Sequence, residues 1–205
     1  MAERLNVYVD GFNLYHGIHD QAGCRLLWLD LVALAVSLRP RSALGHVHYF
    51  TAAVDGQPEA LRRQQIYLNA LSTHGGDRLT ITMGRYQKKT LTCRKCSASW
   101  VHREEKETDV NIAVQLVVDA ASDAMDAALI ISADSDLVPA IKAARALKPM
   151  LFMAAAFPPK RFSAELKNLM PASFHIGLDK LRSSQLPGNV TTADGLTFSR
   201  PAKWA

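Results

Sequence analysis

Apolar and polar positions alternate along the chain in blocks that predict strands and helices in turn. Five mostly apolar stretches predict buried strands over residues 5–10, 46–53, 79–86, 128–133 and 150–156, and a last short strand is expected near residue 174. Helical periodicity and helix-end signals predict helices over 29–39, 58–75, 108–121, 135–147 and 163–170. This alternation predicts an α/β fold in which helices cover both faces of a central, mainly parallel sheet.

Several positions are expected to pack in the core. The helix over 108–121 carries six apolar residues on one face, which is expected to lie on the sheet: Val110, Ala113, Val114, Val117, Val118 and Ala121. Phe12 and Tyr15 are also predicted to be core residues, as are Met150 and Met153 on the fifth strand. His16 and His19 follow the first strand at helical spacing, and His16 either faces the cleft or has a simple surface role.

Two segments break the alternation. Residues 87–105 are dense in Lys, Arg and Thr and contain a Cys-x-x-Cys sequence, so we predict an inserted hairpin or small knuckle. Residues 183–205 are polar and rich in Gly, Pro, Ser and Thr, which predicts a C-terminal tail that is either disordered or anchored by Trp204. We therefore expect one domain over 1–182 that carries the insertion, followed by the tail.

Composition narrows the classes of function. The 205 residues have a formal net charge of +5, which favours a polyanionic partner such as RNA or DNA over a purely neutral surface. No apolar run is long enough to cross a membrane, and the N-terminus lacks the pattern of a secretory signal. Three unevenly spaced cysteines do not make a disulfide framework, so a reducing, cytoplasmic location is expected.

Acidic residues follow two of the predicted strands. Asp10 ends the first strand, Asp134 and Asp136 follow the fourth, and Asp109 opens the helix that leads into the fourth. Ligands of an open parallel sheet bind outside the carboxyl ends of its strands, so these side chains are expected to converge there. Each also has a structural interpretation, since Asp10 suits a turn, Asp109 suits the first turn of a helix, and Asp136 suits a helix cap.

Convergence of the four acids would favour cation binding. Clustered carboxylates repel one another unless they share protons or hold a cation, and hard oxygen ligands select Mg²⁺ or Mn²⁺. Such an ion lowers the pKa of a bound water and polarises a phosphate, which is the chemistry of phosphodiester hydrolysis. The sequence therefore predicts a divalent-metal-dependent hydrolase of nucleic acids.

Three segments in this order resemble the NYN domain family, a branch of the PIN-like nucleases. They are VYVDGFNLYHGI, EEKETDVNIAVQLVVDA and ALIISADSDLVPAIKAAR, and the resemblance covers roughly residues 5–156. It implies a PIN-like three-layer sandwich that cleaves RNA with Mg²⁺ or Mn²⁺. By this resemblance Asp10, Asp109, Asp134 and Asp136 are the metal ligands and catalytic acids, and Asn13 is a supporting amide. Ala133 stands where the family often has Gly.

The resemblance also gives Ser132 a place in the site, where it steadies the loop and belongs to the substrate-binding set. Lys106 either neutralises the acidic cluster and touches a phosphate or is one of a run of solvated charges. Arg94 and Lys95 are expected to hold phosphates of a single-stranded RNA, with DNA as the alternative. Trp100 either stacks on a base or packs the insertion onto the domain.

Cys93 and Cys96 have the spacing of zinc ligands, but a closed zinc site needs four ligands. The candidates for the others are His102, Cys24 and His74, or a second copy of the chain in a homodimer. The alternative is a pair of reduced thiols in a hairpin.

Competing enzyme classes lack their motifs. Phe12 occupies the position at which a haloacid-dehalogenase-type phosphatase needs a second Asp, and neither a P-loop nor a GxSxG sequence is present. A non-catalytic RNA-binding or regulatory module on the same fold is the remaining alternative. In that case Asp134→Asn would leave the function intact.

Overall fold

The computed structural model describes residues 2–205, apart from the side chains of residues 102–105. Seven strands form the main sheet: β1 (Arg4–Asp10), β2 (Ala43–Ala52), β3 (Leu79–Thr92), β4 (Ser99–Lys106), β5 (Ala127–Ile131), β6 (Phe152–Phe157) and β7 (Phe174–His175). Their order is β4-β3-β2-β1-β5-β6-β7. All neighbours are parallel except β3 and β4, so the predicted mainly parallel sheet is confirmed.

Helices cover both faces of this sheet, as a three-layer sandwich requires. The helices are α1 (Gly11–Ala22), α2 (Leu31–Leu38), α3 (Pro58–Gly75), α4 (Thr108–Ala121), α5 (Val138–Leu147), α6 (Ala164–Leu169) and α7 (Leu178–Ser183). Helices α1, α2, α3 and α7 share one core cluster, and α4, α5 and α6 share the other. The α/β sandwich inferred from the sequence is thus the observed fold.

Strand β1 is central and divides its side chains between the two cores. Leu5, Val7 and Val9 belong to the core beneath α1 to α3, and Tyr8 belongs to the core beneath α4 to α6. The period of two is that of a strand buried on both faces, and it leaves Asp10 at the carboxyl end of the strand. Apart from the buried polar groups of Asn6 and Tyr8, the middle of β1 is therefore apolar, and the strand ends in the carboxylate of Asp10.

The basic insertion is a hairpin. Strands β3 and β4 pair antiparallel from Arg85↔Lys106 to Thr92↔Ser99, so β3 continues six residues beyond the predicted end at residue 86. The alternation of polar and apolar residues is weak there because both faces of the hairpin's outer part are exposed. Of the two predicted forms, the hairpin is the observed one.

The C-terminal segment is folded against the domain. Strands β8 (Asn189–Thr191) and β9 (Thr197–Ser199) form a second, two-stranded antiparallel sheet. Trp204 is buried, with its ring centroid 6.5 Å from that of Trp28 and 5.8 Å from that of Tyr67. Of the two forms predicted for the tail, the one anchored by Trp204 is observed, because apolar residues near the end of the chain complete the core beneath α2 and α3.

Three predictions about packing are wrong. Helix α4 buries Ile112, Leu116 and Ala120 with the polar Thr108 and Asp119, while Val110, Val114 and Val118 are exposed. Tyr15 is 42% exposed on α1, and Met150 is 90% exposed because it precedes the start of β6. The described part of the chain has no helix that is both long enough and apolar enough to span a membrane.

Candidate active site

Three carboxylates from distant parts of the chain converge at the carboxyl ends of β1 and β5. Asp10 is the last residue of β1, Asp134 follows β5 by three positions, and Asp109 lies in the first turn of α4. One oxygen from each lies within 4.8 Å of the others. Strands β1 and β5 are adjacent and parallel. The order in which the chain adds strands reverses between them, since β2 and β3 lie on one side and β6 and β7 on the other, and α/β proteins bind ligands at such a point. We call these three residues the carboxylate cluster.

Asp10 is the buried member of the carboxylate cluster, with 4% of its surface exposed. Its Oδ1 accepts the N–H of Asn13 at 3.0 Å, which caps α1, and its Oδ2 accepts the hydroxyl of Ser132 at 2.8 Å. Burial raises the pKa of Asp10, and the nearby charge of Asp134 raises it further, although these hydrogen bonds oppose the shift. The carboxylate is thus held in place at an electrostatic cost.

Ser132 and Asn13 fix the loop that carries Asp134. The Ser132 hydroxyl accepts the N–H of Asp134 at 3.0 Å, and Oδ1 of Asn13 accepts the N–H of Ala133 at 3.2 Å. Ser132 is fully buried, so its assignment to the substrate-binding set is wrong: its hydroxyl is occupied between two carboxylate residues. Both side chains position the cluster.

Asp136 lies outside the carboxylate cluster, although the sequence predicts it as one of four metal ligands. Residues Ser135–Leu137 form a 3₁₀ turn in which the N–H of Asp136 donates to Oδ1 of Asp134 at 2.9 Å. The side chain of Asp136 is exposed, and the group of candidate metal ligands contains Asp10, Asp109 and Asp134 without it. The turn directs two acids two positions apart to different places, so the predicted ligand set is reduced to three.

The donor set of the carboxylate cluster fits a hard divalent cation. Two unit charges about 4 Å apart repel by roughly 4 kcal/mol at an effective dielectric of about 20, so three close carboxylates are costly without compensation. Oxygen ligands from carboxylates suit Mg²⁺ or Mn²⁺, which usually retain several waters beside one or more carboxylates. Asp10, Asp109 and Asp134 are the residues that would hold such an ion.

Gly11 allows α1 to begin directly after Asp10. A Cβ at this position would lie 2.6 Å from the carbonyl oxygen of Phe50 and 2.9 Å from Cε2 of Tyr49. Helix α1 therefore crosses β2 at a distance that only glycine permits. The Asp-Gly pair, which the sequence marks as a break, is the place where the strand turns into the helix that Asp10 caps.

The base of the hairpin leads into the carboxylate cluster. Lys106 ends β4, three positions before Asp109, and is partly buried. The next residue, Glu107, has a left-handed backbone with φ of 81°. Its carboxylate forms an ion pair with Arg85, whose Nε lies 2.5 Å from Oε1 of Glu107. This turn connects the hairpin to the first turn of α4, so Lys106 lies close to the cluster along the chain.

The tip of the hairpin lies away from the carboxylate cluster. Arg94 and Lys95 are exposed in the turn, and Trp100 is 50% exposed on β4 opposite Leu91. Six residues of extended strand separate Trp100 from Lys106, a distance of ~20 Å. Half of the Trp100 side chain is exposed, so it does not fix the insertion to the domain as a buried core residue would, and base stacking stays a prediction.

Among the side chains that the structure describes, no complete set of zinc ligands surrounds Cys93 and Cys96. Where side chains are described, neither Cys24 nor His74 forms a group of three candidate ligands with these thiols, and Nε2 of His74 lies 3.2 Å from Asp30 instead. The side chain of His102, another candidate, lies outside the described residues. Backbone N–H groups of Cys96 and Lys95 lower the pKa of the Cys93 thiol.

Comparisons with known proteins place the chain beside one domain family and one curated relative. The model of the NYN domain matches residues 4–177. A relative is 6-hydroxy-3-succinoylpyridine 3-monooxygenase HspA of Pseudomonas putida (strain DSM 28022 / S16), which is 28% identical over 178 residues. The match covers 70% of this chain and 56% of the relative, so this chain spans about half the length of the curated protein it matches.

A solved structure shares the fold. It is a protein of unknown function, VPA0982, from Vibrio parahaemolyticus RIMD 2210633, with a TM-score of 0.53 and 15% sequence identity. The superposition covers 87% of this chain and 95% of that one. At this identity the likeness concerns the sandwich architecture alone.

Proposed function

The chain belongs to the NYN domain family, and from that premise we propose that it is a divalent-metal-dependent nuclease that hydrolyses phosphodiester bonds in RNA. The observation that carries the proposal is the convergence of Asp10, Asp109 and Asp134 within 4.8 Å. Bound there, Mg²⁺ or Mn²⁺ would supply an activated water and neutralise charge on the scissile phosphate. The family membership supports a nuclease-like site, and the carboxylate donors support hydrolysis.

The chain's own residues have distinct parts in this proposal. Asp10, Asp109 and Asp134 hold the ion, while Asn13 and Ser132 position Asp10 and the loop of Asp134 through the hydrogen bonds described above. Asp136 is exposed beside the cluster and acts, at most, through water. This division predicts a large loss of activity for the first group and a smaller loss for Asp136.

The hairpin supports a single-stranded nucleic acid as the substrate. Arg94 and Lys95 present cations at its tip, Trp100 presents an exposed ring, and Lys106 stands at its base near the cluster. Cations that hold phosphates and rings that stack on bases are the usual elements of single-strand binding. A strand that contacts Trp100 and the base of the hairpin at Lys106 together spans ~20 Å, or several nucleotides.

A second candidate function follows from the Pseudomonas relative, whose name describes a monooxygenase acting on a substituted pyridine. Non-haem iron oxygenases typically bind their metal through two histidines and one carboxylate. The candidate ligands in the described part of this chain are three carboxylates without histidine. This donor set favours hydrolysis over oxygen chemistry, and we rank the nuclease first.

The test is incubation of the purified protein with end-labelled single-stranded RNA and DNA, in Mn²⁺, in Mg²⁺ and in EDTA. Cleavage of RNA with metal, its absence in EDTA and its loss in Asp134→Asn are expected. Asp77→Asn is the matched control, because Asp77 is exposed just before β3, at the opposite end of the sheet from the cluster. RNA binding without cleavage, unchanged in Asp134→Asn, would instead identify a non-catalytic RNA-binding module.

A further inference from the structure

A cavity of about 420 Å³ opens beside the carboxylate cluster. Its walls come from α1, the end of β2, α3 and the C-terminal residues, and Gly11, which follows Asp10 directly, forms part of them. The volume falls in the range of about 300–1,000 Å³ that is typical of sites for small organic molecules. The function proposed above uses none of this space.

Aromatic rings form the inner walls of the cavity. Tyr49, Tyr67 and Trp204 line it and are each at least nine-tenths buried, and the rings of Tyr67 and Trp204 meet edge to face with centroids 5.8 Å apart. At the mouth, Tyr15 is 42% exposed and stacks on His19 with centroids 5.7 Å apart. Rings at both depths provide flat apolar surfaces that suit a planar ligand.

The tyrosines of the inner wall present neutral rings. The hydroxyl of Tyr67 donates to the carbonyl oxygen of Leu29 at 2.9 Å, so its polar end is already engaged. Burial raises the pKa of Tyr49 to about 12, and the charge of Asp10 raises it as well. Gly11, which follows Asp10 directly, lies against this ring, since a Cβ there would be 2.9 Å from Cε2 of Tyr49, so the cavity and the carboxylate cluster are neighbours.

Cations stand on the cavity walls with these rings. Arg63 on α3 and Lys203 line the cavity, and the charge of Arg63 acts on the phenol of Tyr15 at the mouth. The amide of Gln64, another wall residue, is engaged with the carbonyl of Ala52 and the N–H of Val54, both at 2.8 Å. A guanidinium beside exposed rings suits an anion attached to a flat ring.

We propose that this cavity binds a nucleotide base, with the ring against the aromatic walls and the attached phosphate near Arg63. The base is either that of a free nucleotide or one base of a strand whose backbone crosses the carboxylate cluster. The second source rests on the proposed nuclease function, since it places a base in the cavity next to the bond that is cut. The first source needs no cleavage.

The first experiment measures quenching of tryptophan fluorescence by nucleoside 5′-monophosphates, because Trp204 lies in the cavity wall. A Trp100→Phe background removes any signal from stacking at the hairpin. Quenching by the monophosphates and none by ribose 5-phosphate, which lacks a base, is expected. The filling variant Ala60→Phe should abolish base-dependent quenching, while Ala143→Phe, on an exposed position of α5, should leave it unchanged.

A second variant tests the cation without filling the cavity. Arg63→Ala should weaken binding of the monophosphates about tenfold through loss of a charge-assisted hydrogen bond. Arg62→Ala is its matched control, since Arg62 is the preceding residue of α3, is exposed, and is not part of the wall. Equal effects of the two substitutions would contradict the assigned position of the phosphate.

The second experiment distinguishes the two sources of the base. Binding of labelled RNA is measured in EDTA with a single abasic nucleotide moved along the strand. A base drawn from the strand predicts about a tenfold loss of affinity at one position, removed by Ala60→Phe; a free nucleotide predicts quenching by monophosphates with no such position. If neither the position-specific loss of affinity nor quenching by monophosphates is observed, the proposal is overturned. Loss of cleavage in Asp134→Asn with retained base binding would separate the two sites.

Discussion

The hydroxyl of Ser132 donates to Oδ2 of Asp10 at 2.8 Å, although 122 positions separate the two residues in the chain. The same hydroxyl accepts the N–H of Asp134 at 3.0 Å. One buried oxygen therefore sets the relative positions of two members of the carboxylate cluster. Since its donor and acceptor capacity are both used, a methyl group or a hydrogen atom cannot replace it.

Ser132→Ala is expected to weaken Mn²⁺ binding by about 10- to 100-fold, because residues that orient metal ligands typically contribute this much. The same change leaves a buried acceptor of Asp10 without its donor, at a cost of about 1–3 kcal/mol in the free energy of unfolding. Calorimetric titration with Mn²⁺ and urea denaturation measure the two effects. Wild-type metal affinity in the variant would contradict the positioning role.

Asp109→Asn and Asp136→Asn are expected to differ although both remove one acid near the site. Only Asp109 belongs to the carboxylate cluster, so its replacement should remove the rise in melting temperature that Mn²⁺ is expected to produce in the wild-type protein. Asp136→Asn should retain most of that rise, because the side chain is exposed outside the cluster. Thermal melts with and without Mn²⁺ compare the variants, and equal losses would restore Asp136 as a ligand.

Gly11→Ala is expected to destabilise the fold by about 1–3 kcal/mol, the usual cost of overpacking. The added Cβ would lie 2.6 Å from a backbone oxygen of β2, which cannot move aside as a flexible side chain can. Gly188→Ala is the control, since a Cβ there would meet no atom within 4 Å. Urea denaturation of both proteins provides the comparison, and equal stabilities would show that α1 shifts without cost.

Asp119 should make stability depend on acid pH. Burial alone would raise the pKa of this carboxyl, but the His48 ring, whose Nε2 lies 3.2 Å from Oδ2, and hydrogen bonds from Tyr8, Asn6 and Gln115 lower it to about 2 from its ordinary 3.8. The contribution of Asp119 to the free energy of unfolding, on the order of 2 kcal/mol, is complete above about pH 4 and is lost as the pH falls through about 2.

Asp119→Asn should therefore be less stable than the wild-type protein at neutral pH and lose less stability between about pH 4 and 2. Urea denaturation across this range gives the difference between the two proteins, which isolates Asp119 from other carboxylates such as Asp126. Parallel curves for the two proteins would show that the pKa of Asp119 is not depressed in the folded state.

Local patterns were sufficient to predict the central fold. The apolar runs of β1 and β5, the Pro and Gly signals of α3 and the periodicity of α4 gave the helices and strands close to their observed bounds. Placement of acids at strand ends was enough to infer a shared site, because parallel strands present their carboxyl ends on one side. These features depend on near neighbours in the chain.

Other features depend on contacts that no local pattern contains. Helix α4 carries two stripes at helical spacing, and the stripe that is buried includes Thr108 and Asp119. Asp119 is buried because Asn6 and Tyr8 on β1 and Gln115 on α4 donate hydrogen bonds to it, and only the folded arrangement shows the partners on β1. The sequence favours the more valine-rich stripe, but its Val110, Val114 and Val118 face outward, and Ala113 and Val117 are only partly buried against the core.

The cavity wall was missed for the same reason. Tyr15 was assigned to the core by its type, yet it stands at the mouth of a cavity whose opposite wall includes Trp204. Residues nearly 190 positions apart line this one cavity, so their spacing in the chain does not predict it. The separation of Asp136 from Asp134 likewise follows from a single 3₁₀ turn that the Asp-Ser-Asp sequence does not reveal.

Asp10 and Asp134 lie at the ends of sheet strands, whereas Asp109 lies on α4. This helix packs on the sheet through its own buried residues Ile112 and Leu116. The distance from Asp109 to the other two carboxylates is therefore set by how closely that helix packs. Mg²⁺ requires ligands at about 2.0–2.1 Å and Ca²⁺ at about 2.3–2.6 Å. A smaller residue in place of Leu116, which lies two helical turns from Asp109 on α4, would thus alter which ionic radius the site accepts without changing a metal ligand.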